Sequence, residues 1–243
     1  MKKQVLLIGA FLVTVFQFWG CDEGTNIWGQ IKGSGNITSI DYSFDGFTRI
    51  DASYAFHLTV IQSDTFFVRL SVDDNVVEYL DVLKSGNWLV ISLEDDKSYN
   101  NVHLNAEVHM PDIGVLKGSG ASAIEMSGFS SAEDFLLELS GASVFSGSLE
   151  CGDCEMQLSG ASVVNMNGTC DQLNLEASGA SELNMGNFIC NTANLYISGA
   201  TNATIHVTEH LSATLSGASV LRYYGDPEIG NLNISGASTI IKL

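Results

Sequence analysis

From residue 119 onward apolar positions recur on two periods at once: every second residue within short runs, and every 18 to 21 residues between runs. The punctuation is Ser-Gly-Ala-Ser, once Ser-Gly-Ala-Thr, opening at Ser119, Ser140, Ser159, Ser178, Ser198, Ser216 and Ser235. Five residues beyond each opening serine stands an apolar residue: Ile124, Phe145, Val164, Leu183, Ala203, Leu221 and Ile240. Two further on come Met126, Gly147, Met166, Met185, Ile205 and Tyr223. Before the motifs the alternation repeats, as in Leu137 and Leu139, Met156 and Leu158, Leu175 and Ala177, Leu195 and Ile197. A period of two on both sides of a fixed motif means two strands per repeat, each with one buried face.

A spacing near 20 is that of a solenoid, in which no unit buries its apolar face alone and neighbours complete the core. Two bends separate the strands of each coil. One is the Gly-Ala motif, where glycine permits a turn and small neighbours let coils stack. The other is polar and variable, as in Ser127-Gly128-Phe129-Ser130, Asn167-Gly168-Thr169 and Gly225-Asp226-Pro227, and absorbs the changes in coil length. The predicted fold is all-β: a right-handed parallel β-helix flattened into two main sheets, with 19–20 residues per coil. Stacked about 4.8 Å apart, roughly six coils give a rod on the order of 30 Å long.

The first half lacks a clean period. Phe47–Asp51, Phe56–Gln62, Phe66–Val72, Trp88–Leu93 and Val102–Met110 read as strands, and Asn75–Leu83 as a short helix. Lys32-Gly33-Ser34-Gly35 echoes Lys117-Gly118-Ser119-Gly120, and no proline- or serine-rich linker intervenes. Residues 31–118 are therefore expected to be an irregular β beginning of the same solenoid that caps its end, and 119–243 its regular part.

At the N-terminus Lys2 and Lys3 precede an apolar run from Val5 to Trp19, followed by Gly20-Cys21. A basic start, a short apolar core and a small residue before a cysteine read as a lipoprotein signal peptide over 1–20, with Cys21 lipidated and residues 21–30 a tether. The run is short for a membrane-spanning helix. Removing it leaves eight basic against 28 acidic residues, a net of −20. Such a surface excludes nucleic acid as a partner and keeps an extracytoplasmic rod soluble. The acidic clusters Asp73-Asp74 and Glu94-Asp95-Asp96 lack the spacing of a calcium loop and read as solvated faces.

The order of Phe47-Thr48-Arg49-Ile50, Ala55-Phe56-His57-Leu58-Thr59-Val60-Ile61-Gln62, Val108-His109-Met110-Pro111 and the Gly-Ser-Gly series resembles the head GIN domain of putative autotransporter adhesins, over about residues 35 to 240. The resemblance implies a pectin-lyase-like β-solenoid without lyase catalytic residues, and cell adhesion by analogy. The chain shows neither a heptad stalk nor outward-apolar barrel strands, so a lipid on Cys21 would take over the anchoring.

Of the remaining cysteines, Cys151-Gly152-Asp153-Cys154 has the spacing of a metal or redox pair, but no second pair completes a zinc ribbon. Cys151 and Cys170 lie 11 residues beyond their motif serines and Cys190 lies 12 beyond. Neighbouring coils thus bring them within disulfide reach, and Cys151, Cys154, Cys170 and Cys190 form a candidate disulfide ladder with its pairing open. His206 and His210 flank Glu209 across a bend in a strand pattern and read as surface residues; His57, His103 and His109 form no cluster. The motif serines lack a repeated base and read as turn residues. A left-handed acyltransferase helix would need a six-residue period, which is absent. Outward positions read as mostly Ser, Asn, Thr, Ala and Gly, without the paired carboxylates of a glycan-cleaving enzyme. No catalytic, metal or cofactor residue is expected. The expected protein is a noncatalytic, lipid-anchored outer-membrane adhesin or glycan-binding solenoid; the alternatives are a self-assembling envelope protein that forms homo-oligomers and a glycan-active enzyme.

Overall fold

The computed structural model describes residues 29–243. The expected signal peptide, Cys21 and the expected tether up to residue 28 lie outside the described residues. The first half comprises β1 (Gln30–Lys32), β2 (Ile37–Tyr42), β3 (Arg49–Ala52), β4 (His57–Gln62), β5 (Phe67–Asp73), a 3-10 turn (Asp74–Tyr79), β6 (Leu80–Ser85), β7 (Trp88–Leu93), β8 (Ser98–Asn100), β9 (Leu104–Met110) and β10 (Val115–Gly118). The repeats follow as β11 (Ala123–Ser130), β12 (Phe135–Leu139), β13 (Val144–Glu150), β14 (Cys154–Leu158), β15 (Val163–Ala177), β16 (Glu182–Ile197), β17 (Asn202–Leu215), β18 (Val220–Tyr224), β19 (Glu228–Ile234) and β20 (Thr239–Lys242).

These strands wind into a β-solenoid with two long faces. On the first, β7, β3, β10, β12, β14 and the C-terminal halves of β15, β16 and β17 stack in parallel, ending on β19. On the second, β9, β4, β11, β13, the N-terminal halves of β15 to β17, then β18 and β20 do the same. Both faces begin antiparallel: β6 pairs with β7, while β2 and β5 lead into β9. These hairpin-like strands cover the end of the stack whose edge would otherwise be open.

One apolar interior runs the length of the described chain. Every residue at the position five beyond the opening serine is buried from Ile124 to Leu221, as are the alternating residues before the motifs through Leu215. The inside of the early coils is filled by large rings, Phe47, Phe56, Phe135, Phe145 and Phe188, all fully buried. The pattern stops at the last coil, where Leu232 and Ile234 are exposed, because burial of one coil needs the next to cover it.

The stretch 75–83 is helical only in its first part, as the 3-10 helix Asp74–Tyr79. After the 3-10 turn it extends as β6, where half-buried Leu80 and Val82 alternate with exposed Asp81 and Leu83. Gly86, at a φ of 59°, then reverses the chain so that Leu80 faces Leu93 and Ser85 faces Trp88. The pairing surface of β7 decides the outcome over the local helical spacing.

The acidic pairs of the first half have structural partners. Asp73, 1% exposed, accepts hydrogen bonds from the backbone N–H groups of Gly35 and His103, each at 2.6 Å. Asp74 accepts one from the Ser34 hydroxyl at 2.6 Å. The Ser34-Gly35 turn is thus latched onto β5. Asp95 accepts from the Tyr54 hydroxyl at 2.6 Å, which pushes the Tyr54 phenol up to about 12, and Asp96 pairs with Lys97 at 2.9 Å.

Each Ser-Gly-Ala-Ser has a division of labour. The glycines form a column with φ from 70° to 94°, the left-handed region. Each following alanine N–H donates to the carbonyl of the glycine one coil earlier at 2.7–2.8 Å, from Ala142 onto Gly120 to Ala237 onto Gly217. A Cβ on Gly141 or any later motif glycine would overlap that carbonyl. The column starts on Tyr54, itself at a φ of 64°, whose carbonyl accepts from Ala121. Tyr54, and not the Ser34-Gly35 echo, is therefore the foundation of the series. The fourth residue points inward: Ser122, Ser143, Ser162, Ser181, Thr201 and Ser219 are all buried. All but Ser181 donate their hydroxyl to the carbonyl of the opening serine three residues back, at 2.8–3.2 Å.

Ser181 Oγ is buried with no partner, and this yields a graded prediction. Gly160→Ala should cost about 3 kcal/mol or more, since backbone must move as well as adopt an unfavourable φ. Ser162→Ala should cost about 1 kcal/mol for its lost hydrogen bond, and Ser181→Ala nothing or a slight gain. Urea unfolding midpoints check the order; equal losses at 162 and 181 would contradict it.

Candidate functional site

Inward residues on the first face fix where the outward ones point, and one outward column is lined up across the whole face. Two residues before each motif the register pairs Asp51 with Lys117, Lys117 with Glu138, Glu138 with Gln157, Gln157 with Glu176, Glu176 with Tyr196 and Tyr196 with Thr214. Beside it runs the column of opening serines, Ser119, Ser140, Ser159, Ser178, Ser198 and Ser216. Together they line a groove of about 750 Å³ along the solenoid.

The groove is chemically graded. At its first-half end Lys117 Nζ lies 2.7 Å from Glu138 and 5.3 Å from the centre of the Trp88 ring, which Arg49 also approaches at 5.5 Å. The one lysine of the column is thereby engaged. Burial pushes the Asp51 carboxyl above the usual carboxylate range; Lys117 pulls it back in part, and Glu138 adds to the rise. Farther along, Tyr196 stands 61% exposed beside Glu176. An aromatic ring held upright by a sheet, among carboxylates, an amide and hydroxyls, is a surface for polar ligands with flat apolar faces. The strand N–H and C=O groups are spent in the ladder, so only side chains can recognise what lies here.

Outward positions are expected to be mostly Ser, Asn, Thr, Ala and Gly; this column departs from that, with Lys117, Glu138, Gln157, Glu176, Tyr196 and Thr214 each standing between two apolar residues of the sequence.

The four cysteines come together in part. Cys170 and Cys190 are registered partners on β15 and β16, with Sγ atoms 3.1 Å apart and both side chains buried. Cys154 is buried on β14 and Cys151, three residues before it, is half-buried; the neighbouring Cys151, then burial, push the Cys154 thiol up. Among the described residues no three His, Cys, Asp or Glu side chains are grouped to hold a metal ion.

The histidines scatter. His206 sits 6.0 Å from the Tyr224 ring, whereas His210 faces Glu228 at 3.6 Å, so the two do not converge on Glu209. His57 lies 3.7 Å from Glu125 and His109 2.8 Å from Glu107. A second hollow, of about 520 Å³, is lined by Asn184, Gly186, Asn187, Thr204, His206 and Tyr224. It opens where the β16–β17 register breaks between Asn184 and Ile189.

The sequence pattern of the family described as putative auto-transporter adhesin, head GIN domain, matches residues 46–227. Among solved structures, a putative adhesin from Bacteroides fragilis superposes with a TM-score of 0.82 at 22% identity, covering 88% of this chain and 100% of that one. A putative lipid binding protein from Parabacteroides distasonis does so at 0.73 and 18%, covering 88% and 99%. A putative adhesin from Parabacteroides merdae gives 0.64 and 16%, with the same coverage. At these identities the likeness is one of fold. No curated protein matches the chain. Among the described residues no helix is long and apolar enough to cross a membrane.

Asp51 supplies a pH test of the groove. Its folded value is raised, so its contribution to stability is fully present below the unfolded value and is lost as pH rises through the folded one. Asp51→Asn should therefore raise the thermal midpoint at neutral pH and leave it unchanged near pH 3 (about a unit below the ordinary carboxylate value). A midpoint that falls at neutral pH would show that attraction to the Lys117 charge outweighs burial.

Proposed function

From the premise that the chain belongs to the head GIN domain family of putative auto-transporter adhesins, a family whose name fits a surface protein, we propose that it is a noncatalytic cell-surface protein that binds an extended glycan along the first-face groove. The observation that carries this reading is the in-register column from Asp51 to Thr214 with Tyr196 exposed on it. A peptide binding by strand addition needs a free sheet edge, and the groove lies on a face. A sugar chain needs hydroxyl, carboxylate and amide partners with an aromatic ring for its apolar face, and the groove supplies each. Coils repeat every 4.8 Å or so, which suits a ligand that is itself a repeat.

Charge narrows the ligand. Asp51, Glu138 and Glu176 face the groove against Lys117 alone, and the whole chain carries −18. A uronate polymer would be repelled; a neutral or amino-bearing glycan would not. The same residues support the noncatalytic reading. Lys117 stands between Asp51 and Glu138 in the register and holds Glu138 at 2.7 Å, so these carboxylates do not face each other across an open bond-cleaving gap.

The proposal extends to location. Lipidation at Cys21 would tether the solenoid to the outer membrane through its N-terminal end and leave the groove free. Labelled fatty acid should enter the native protein and not Cys21→Ser, with protease reaching the solenoid on intact cells. Labelling of the Cys21→Ser protein would remove this residue as the anchor.

Binding is tested with the full chain in detergent on a glycan array, followed by titration of the best oligosaccharide. Tyr196→Ala should weaken it about tenfold, the equivalent of one stacked ring, and Tyr196→Phe should retain most of the affinity. Cleavage of any bound glycan, or affinity indifferent to Tyr196→Ala, would sink the reading.

A further inference from the structure

The two buried sulfurs at the centre of the repeat region sit where the ladder is least regular. Successive motifs are 19 residues apart from Ser140 to Ser178, then 20 to Ser198 and 18 to Ser216. The change in length is taken up on the second face and its bend. The β15–β16 register shifts between Asn165 and Asn167, and the β16–β17 register shifts between Asn184 and Ile189 and again between Cys190 and Thr192. Between β15 and β16 the register set at Asn167 and Asn187 runs through Cys170 and Cys190 to Ala177 and Ile197, while on the other side of β16 it shifts right after Cys190. A slip of one residue here would turn every inward side chain outward, and a bond between the two sulfurs would pin one neighbour of β16 where the other shifts.

We propose that Cys170 and Cys190 form a disulfide that staples consecutive coils and fixes this register, while Cys151 and Cys154 take no part in it. In-register neighbours on parallel strands meet the backbone separation a disulfide needs, and the sulfurs, 3.1 Å apart, have about 1 Å to close to a bonded distance near 2.05 Å. Cys154, on the coil before, is in register with Leu173 and not with Cys170. The hydrogen bond to Cys190, then burial, push the Cys170 thiol up, so this is no exposed reactive thiolate but a pair suited to a structural bond.

The chemistry is thiol–disulfide exchange, with a disulfide-bearing oxidant such as oxidised glutathione or an envelope oxidoreductase. One cysteine, as its thiolate, attacks the oxidant's disulfide, releasing one of the oxidant's sulfurs as a thiol and forming a mixed disulfide. The second cysteine, on losing its proton, displaces the other. Two electrons and two protons leave the pair, and the oxidant departs as two thiols. Both sulfurs are buried in the finished solenoid, so the bond forms as the coils stack. The proposal rests on the exported location given above, because a reducing compartment would keep the thiols apart.

Cleavage after glutamate separates the candidates, placing Cys151 and Cys154 together on peptide 151–155, Cys170 on 156–176 and Cys190 on 183–209. Full-length protein is refolded from urea in a glutathione redox buffer, alkylated under denaturing conditions without reductant, digested and weighed. The expected result is a linked 156–176 and 183–209 pair, with 151–155 attached to neither. Recovery of both peptides alkylated, or of 151–155 joined to either, would overturn the pairing. The same map on protein from the membranes of the producing cells tests location separately: linkage after refolding but not in cells would overturn the export reading and leave the pairing intact. Reductant should lower the urea midpoint of the linked native chain and not that of Cys190→Ala. A midpoint equally sensitive in the variant would show that another bond carries the effect.

Discussion

The structure depends on one close approach: the glycine of each motif turns left-handed directly above the carbonyl of the glycine in the coil before. From Gly141 onward there is no room for a Cβ at that point, and the alanine N–H that follows makes a short hydrogen bond into the same carbonyl. The column therefore does two things at once. It removes the side chain that would wedge the coils apart, and it supplies the bond that holds them at the spacing of a parallel ladder. The buried hydroxyl at the fourth position folds five of the turns, all but that of Ser181, back onto their own first carbonyl.

A column that fixes height also fixes register, and register is what makes a surface. With the turn pinned, alternation assigns each residue before it to the inside or the outside without ambiguity. Residues two before the motif must then stack as a line. The groove is a consequence of the turn: Glu138, Gln157, Glu176 and Tyr196 are neighbours because Gly141, Gly160, Gly179 and Gly199 are. On the far side of each coil no such column operates, and coil length changes there. That is where the ladder breaks, where the hollow beside Tyr224 opens, and where paired sulfurs sit.

Much of this was legible in the sequence because a solenoid writes its contacts at a fixed period. The interior from Ile124 to Leu221, the two strands per coil and the alignment of Cys170 with Cys190 follow from counting. What the period could not show is instructive. It could not tell which serine of the motif faces inward, since both are small and polar; burial divides them. It did not mark Tyr54 as the base of the glycine column, because a non-glycine residue at a φ of 64° carries no glycine to count. It carried the helix on to Leu83, where the 3-10 helix ends at Tyr79 and the chain turns into a strand that β7 receives. And it did not single out the line from Lys117 to Thr214, because a period counted on apolar residues says nothing about the chemistry of the residues between them.

That omission points to how such a fold can serve different ligands. The demands of stacking fall on the motif glycine, the inward small hydroxyl and the alternating apolar residues. The outward column carries none of them: exchanging Gln157 or Thr214 for another polar residue leaves every interior contact and every ladder bond in place. Solved structures of this architecture superpose on the chain at TM-scores from 0.64 to 0.82 with only 16 to 22% identity, as expected when a fold rests on few positions per coil. The same separation explains why family membership fixes the scaffold and leaves the ligand to be read from side chains. In this chain those side chains are an acidic line whose lysine is already engaged, with one exposed tyrosine. On the proposed reading, specificity lies in the residue that precedes each turn by two, and the turn itself only keeps that residue in line.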